Sequence, residues 1–381
     1  MQGATECWWS SGAAAADGGG GAVPVEGNLW FVTNDTTDPR QVSLPGGVKA
    51  TGCFYNLNLG WMIIGADGNG YRLSGASPTD GAEATLYYTH TDDNPVVSYG
   101  CTHAGSSYSP VNGWVLQDGT FQTTQGYAPS LNNFQDTSAA NIEYFGMESE
   151  AASYGIFYMT RNTDTGEVTA RIHGRYGDGA RVWYYSQEAE WNKRSTSTNT
   201  YPWVLPGTQF PTLLSWNSYI VAAISNENRL FIGDNLTSNN AGSVGFTNKA
   251  GGETYTAPYD VTAEYNTEYK EVKCSQSGSS DNPLSAVDVD NNLWMGMKSK
   301  DWQIVANDVV SISYAVPGGS KFLALRTDGT VSWVNQKTGD VTTSSAAVQN
   351  IFPNNFVGFP QCQYAYASTT WMPIIIPTEG D

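Results

Sequence analysis

The chain has 381 residues, 40% of them hydrophobic, enough for one large or two ordinary domains around a sizeable core. Only 14% are charged, while Gly (41), Tyr (22) and Trp (13) are plentiful, a balance that suits turns and half-buried strands better than helices. Thirty-six acidic against 18 basic residues give a formal charge of −18, which repels phosphate backbones and anionic membranes, so nucleic acid is excluded as a partner.

In chain order, the start "MQGATECWWSSGAAAADGGGGA" lacks the basic and apolar regions of a secretory signal, and no apolar run long enough for membrane insertion follows. "DGGGG" (17–21) lacks the Lys and the following helix of a phosphate-binding loop and reads as a turn. Hairpin patterns then recur: "AVPVEGNLWFV" (22–32), "GWMIIGADGNGYRLSG" (60–75), "GWVLQDGTFQTTQG" (113–126), "GIFYMTRNTDTGEVTARIHG" (155–174), "YIVAAISNENRLFIGDN" (219–235), "LSAVDVDNNLWMGMK" (284–298) and "FLALRTDGTVSWV" (322–334). "QCQYAYASTTWMPIII" (361–376) is a weaker eighth. Each reads as an apolar strand, a turn rich in Asp, Asn and Gly, and a second strand, with turns near 28, 69, 119, 166, 228, 291, 329 and 369. In the 322–334 copy, Asp328 and Gly329 supply the expected positive-φ residues of a primed turn.

A second signal keeps phase with the first. Short runs lie about seventeen residues before the turns, as in "VKATGC", "VVSYGC", "YKEVKC" and "VVSISY". Cys53, Cys101 and Cys274 end three of these runs and Cys7 sits similarly before the first turn, so four of the five cysteines read as small apolar core residues rather than as disulfides. No C-x-x-C pair points to a metal.

Repeats of this length with about four strands each stack radially as a β-propeller. The segment "VVSISYAVPGGSKFLALRTDGTVSWV" (309–334) resembles the repeat of the regulator-of-chromosome-condensation family, which pairs a V-x-x-I/V-x-C/A-G-like strand with "ALxxDGxVxxWG". The likeness is close at 309–334, fair at 48–74 and 96–126, and thin from 142 to 270; the family's His before the apolar strand and Gly after the Trp are mostly missing. The resemblance implies an all-β fold, a propeller of seven or eight four-stranded blades in one domain spanning 1–381. With seven blades, "NLWFV" near the start and "WMPIIIP" near the end would complete a shared blade. The family's nucleotide exchange on a small GTPase at chromatin does not suit an acidic chain without a basic tail.

Two connections, 175–211 and 235–270, are long enough to be loop insertions on one face. The first carries Trp183, Tyr184, Tyr185, Trp191, Tyr201 and Trp203 among polar residues, and these six are the candidate binding residues, because Tyr and Trp stack on sugar rings and anchor protein interfaces. Capping of the apolar core is an equal alternative for them.

Reaction chemistry finds little support. H-E-x-x-H, G-x-S-x-G and G-x-x-x-x-G-K-[ST] are all absent, and His90, His103 and His173 are isolated from one another in sequence. Asp288, Asp290 and Asn292 have the spacing that opens a calcium loop, but Leu293 and Ser299 stand where Gly and a bidentate Glu belong, so turn chemistry explains them. Glu148, Glu150, Glu188 and Glu190 read as acidic surface. No catalytic residue, metal or cofactor is therefore expected.

The sequence points to a non-catalytic structural or binding propeller acting in a virion or outside the cell, specifically a bacteriophage appendage or decoration protein. Its expected partners are other virion proteins or a host-surface glycan or protein. A carbohydrate-active enzyme with carboxylates at the propeller mouth, and a protein-interaction or enzyme-inhibitor module, are the alternatives.

Overall fold

A computed structural model describes residues 26–33, 38–56, 59–91, 93–101, 112–118, 121–125, 142–146, 155–162, 164, 168–176, 179–185, 191–194, 202–203, 209, 211–216, 220–234, 259–274, 284–297, 300–314, 321–359, 362–364 and 370–378. Strands dominate, and they pair with their neighbours in sequence to form antiparallel meanders that follow one another along the chain. This is an all-β propeller.

Three sheets have four strands each in simple order. The fourth sheet is Pro211–Trp216, Ile220–Ser225, Leu230–Asp234 and Tyr259–Asp260. The fifth is Tyr269–Cys274, Leu284–Asp288, Leu293–Met297 and Lys300–Ala306; the sixth is Val309–Ile312, Lys321–Arg326, Val331–Asn335 and Val341–Thr343. The second sheet shows three strands among the described residues, Val96–Cys101, Asn112–Leu116 and Phe121–Gln125.

The first sheet has nine strands. One meander, Ala50–Asn56, Gly60–Gly65, Gly70–Leu73 and Thr85–Tyr88, adjoins a group built from both ends of the chain. There Met372–Pro377 runs antiparallel to Gly27–Val32 through six register pairs, Gly27 with Pro377 to Val32 with Met372. The shared closure between "NLWFV" and "WMPIIIP" is thus present.

That closure corrects the ends of the repeat reading. Gly27 and Asn28 are strand residues, not a turn, because their partner comes from the far end of the chain. The eighth pattern is not a hairpin either: Cys362–Tyr364 runs parallel to Ala50–Asn56, while Met372–Pro377 pairs with Gly27–Val32. An apolar run of strand length carries no record of which partner it takes.

The hairpin turns share one geometry. The backbone N–H of Gly65, Ser225, Asp288 and Arg326 donates to the carbonyl of Asn69, Arg229, Asn292 and Thr330 respectively, at 2.8 to 3.0 Å. Gly68, Asn228, Asn291 and Gly329 take positive φ (77°, 57°, 65° and 81°) at equivalent points, a requirement that Gly and Asn meet most cheaply. At 322–334 only Gly329 is left-handed; Asp328 instead accepts from the Thr330 backbone N–H at 2.9 Å and hydroxyl at 2.6 Å. The turn is therefore one whose single left-handed residue follows an Asx-type bond, not a primed one with two.

The second sequence signal has a structural cause as well. The first strand of each of five meanders carries a register irregularity near its start, at 50–52, 96–98, 211–213, 269–271 and 309–311. Its opening residue then docks on the preceding repeat: the N–H of Val96, Tyr269 and Val309 donates to the turn carbonyl of Gly68, Asn228 and Asn291 at 3.0, 2.8 and 2.8 Å. A run keeps phase with the turn that follows it because its strand pairs with the strand that opens that turn.

The core lies between sheets. Leu213, Ile224, Leu230, Tyr269, Val272 and Trp302 join the fourth and fifth, and Val287, Met295, Val309, Phe322 and Val334 join the fifth and sixth. The largest cluster joins the sixth sheet to the closure through Leu323, Trp333, Leu29, Phe31, Trp61 and Ile375, with Phe31 and Tyr55 packed edge-on to Trp61 at 4.7 and 4.8 Å. Cys53 and Cys274 are buried in these clusters, as small apolar residues would be.

Candidate functional site

The third sheet also departs from a four-stranded blade. It has six strands: Ile142–Gly146, Gly155–Asn162, Val168–Tyr176, Gly179–Tyr185, Trp191–Arg194 and Pro202–Trp203. The last three fall inside 175–211, the stretch read from sequence as a loop insertion, so part of it extends a sheet. Its run of β-branched and aromatic residues, as in "RVWYY", is the local reason. In the second long connection, residues 235–258 lie outside the described residues; the remainder holds a short strand and the helix Val261–Tyr265, capped by the Asp260 carboxylate accepting from the Ala263 N–H at 2.9 Å.

Backbone register places the aromatic candidates. Tyr185 pairs with Trp191, and Trp191 with Trp203, so these three stand in line across three strands. Paired positions share a face, as does every second position along a strand, which adds Trp183 to that face and puts Tyr184 on the other with Asn192 and Pro202. Tyr201 lies outside the described residues.

A second constellation, not anticipated from sequence, sits where the fifth and sixth sheets meet. Glu271 is fully buried; its Oε2 accepts from the Ile312 backbone N–H at 3.1 Å, and its Oε1 lies 3.6 Å from the ammonium of Lys273. Lys273 is also buried and sits 4.5 Å from the centre of the Tyr314 ring. The same kind of link recurs elsewhere: Ser215 Oγ accepts from the Cys274 N–H at 2.8 Å, Ser311 Oγ from the Phe359 N–H at 3.3 Å, and Asn56 donates to the Tyr99 hydroxyl at 2.9 Å. These polar groups fasten one sheet to the next, or, for Ser311, the sixth sheet to the segment before Cys362. The signal was visible in "YKEVKC", where a buried run carries Glu271 at the position that Ser98 takes in "VVSYGC" and Ser311 in "VVSISY".

Beside this junction, burial lowers the Lys270 ammonium below the usual lysine range, against the raising influence of Glu271 and Asp288. Burial also raises the Tyr269 phenol well above its ordinary value, opposed by a hydrogen bond from the Trp302 indole at 2.9 Å. The Tyr71 phenol is pushed up to about 12 by burial and by Asp67, whose carboxylate it meets at 2.5 Å.

The calcium-like spacing is consumed by the fold. Asp288 accepts from the Asn292 backbone N–H at 2.7 Å, the Asn292 side-chain amide at 2.9 Å and the Trp294 indole at 2.7 Å, while Asp290 is exposed. No group of three or more metal-ligating side chains occurs among the described residues. His90 is tied to its own loop, with its backbone N–H on Asn69 at 3.1 Å and its ring Nδ1 2.6 Å from the Thr91 carbonyl. An open groove of about 420 Å³ at the closure is bordered by Asn28, Asn350, Phe352, Asn354, Ile376 and Thr378.

No protein-family model matches the sequence, and no curated protein matches it. Solved structures do resemble its fold, at very low identity. Human WBSCR16 superposes with a TM-score of 0.47 at 9% identity, covering 93% of this chain and 100% of its own. Yeast RCC1 (Prp20), solved bound to Kap60, gives 0.46 at 8% identity with 96% of each chain covered. BamB from Moraxella catarrhalis gives 0.40 at 11% identity, covering 81% of this chain and 90% of its own.

Proposed function

We propose that this chain is a non-catalytic binding or structural propeller, an appendage or decoration protein of a bacteriophage particle. It contacts other virion proteins, or a glycan or protein of the host surface, through the widened third sheet. The observation that supports this reading most is the alignment of Tyr185, Trp191 and Trp203 across three adjacent strands, with Trp183 on the same face. Adjacent strands lie about 4.8 Å apart, so register sets these three positions in a row about 10 Å long, and Tyr and Trp are the residues that stack on rings and anchor protein contacts. The charge of −18 supports partners other than phosphate-rich polymers.

Two measurements test it together. Mass spectrometry of purified particles of the phage encoding the chain should detect it at a fixed stoichiometry, and the purified chain should bind a host-surface fraction or glycan array without altering it. Trp191→Ala with Trp203→Ala should abolish that binding. Absence from particles overturns the virion role, and release of cleaved glycan overturns the non-catalytic reading.

A further inference from the structure

Four of the five cysteines keep phase with the repeats, and Cys362 is the one that does not. The fold brings that odd cysteine beside one of the four. Cys362–Tyr364 runs parallel to Ala50–Asn56 with Cys362 and Cys53 as register partners. Partners on adjacent strands share a face, with backbones about 4.8 Å apart, inside the roughly 4.4 to 6.8 Å between Cα atoms that a disulfide spans.

The location gives the pair a purpose. Cys362 precedes the Met372–Pro377 strand that completes the closure with Gly27–Val32, and Cys53 lies on the neighbouring strand of the same sheet. The closure is otherwise held by non-covalent pairing of strands from opposite ends of the chain. A covalent link there would enclose about 310 residues, constraining the unfolded chain over most of its length.

We propose that Cys53 and Cys362 form a disulfide that locks the C-terminal segment into the first sheet. The oxidant is a low-molecular-weight disulfide such as oxidised glutathione. One cysteine loses its proton, and its thiolate attacks a sulfur of the oxidant, forming a mixed disulfide and expelling one small thiolate. The second cysteine, also deprotonated, attacks the protein sulfur of that mixed disulfide, forming the Cys53–Cys362 bond and expelling the second small thiolate. Two protein thiols are oxidised by two electrons, one oxidant disulfide is reduced to two thiols, and the two protons pass to the expelled thiolates. Because Cys53 is fully buried, the exchange takes place as the C-terminal segment docks or during its local opening.

The test uses the full wild-type chain. After incubation with oxidised glutathione it is denatured with iodoacetamide in the absence of reductant, digested and analysed by mass spectrometry. The expected result is a peptide pair joining Cys53 to Cys362 that separates on reduction, together with a Tm several degrees above that of the reduced protein. Cys362→Ser should remove both the linked pair and the oxidant-dependent shift. Alkylation of both Cys53 and Cys362 in the oxidised wild type, stable glutathione adducts in place of the link, or linkage of either residue to Cys7, Cys101 or Cys274 overturns the proposal. The peptide readout needs no variant to fold and no ligand, so it stands apart from any test of particle or glycan binding.

Discussion

Removing the Asp288 carboxylate tests whether this acidic turn is a structural device or the remnant of a metal loop. Asp288 is 2% exposed and accepts three hydrogen bonds, from the Asn292 N–H, the Asn292 amide and the Trp294 indole. Hydrogen bonds to a charged acceptor contribute about 1.5 to 3 kcal/mol each, but they are not additive. Asn292 and Trp294 are half-buried, so water would recover part of the loss for their donors. We therefore expect Asp288→Ala to lower stability by about 2 to 4 kcal/mol, below the simple sum of three bonds. Urea denaturation followed by tryptophan fluorescence, with the slope of the transition unchanged, measures this. Calcium or a chelator should leave the wild-type Tm where it is. A loss below about 1 kcal/mol would refute the energetic reasoning, and a calcium-dependent rise in Tm would refute the assignment of the carboxylate to turn formation.

At the closure, Ile375→Ala should destabilise by about 2 to 5 kcal/mol in the same assay, since Ile375 is fully buried and pairs with Leu29, whereas Val357→Ser at an exposed position should stay within about 0.5 kcal/mol. Glu271→Leu should cost about 3 to 5 kcal/mol by leaving Lys273 buried without its carboxylate; adding Lys273→Met should recover most of that loss, as thermal unfolding of the wild type, the two single variants and the double would show in a cycle. Hydrogen bonds from Thr330 hold the Asp328 carboxyl below its ordinary value, so its contribution is complete above the usual carboxylate range and is lost as pH falls through the depressed value. The Thr330 amide resonance should report that titration, and Asp328→Asn should flatten it.

Local chemistry determined what the sequence could show unaided. The alternation of apolar strands with turns that place Gly or Asn at 68, 228, 291 and 329 is enforced within a few residues, so an all-β repeat fold was legible from those positions. The run that precedes each turn was legible for a related reason: its strand pairs with the strand that opens the turn, which keeps the two close in sequence. What only the tertiary structure decided are the choices between distant strands that local pattern leaves equal. Asn28 looked like a turn residue and is a strand residue because Ile376 comes from the other end of the chain to pair with it. The aromatic stretch around Trp183 extends a sheet because its β-forming residues find a neighbouring strand edge, and no spacing announced that Tyr185, Trp191 and Trp203 would align. Glu271 and Lys273 are buried only because a second sheet covers them, and Cys362 stands alone until the parallel pairing brings it to Cys53. Burial and register are properties of pairs of segments, and a pair separated by hundreds of residues leaves its mark in neither segment alone.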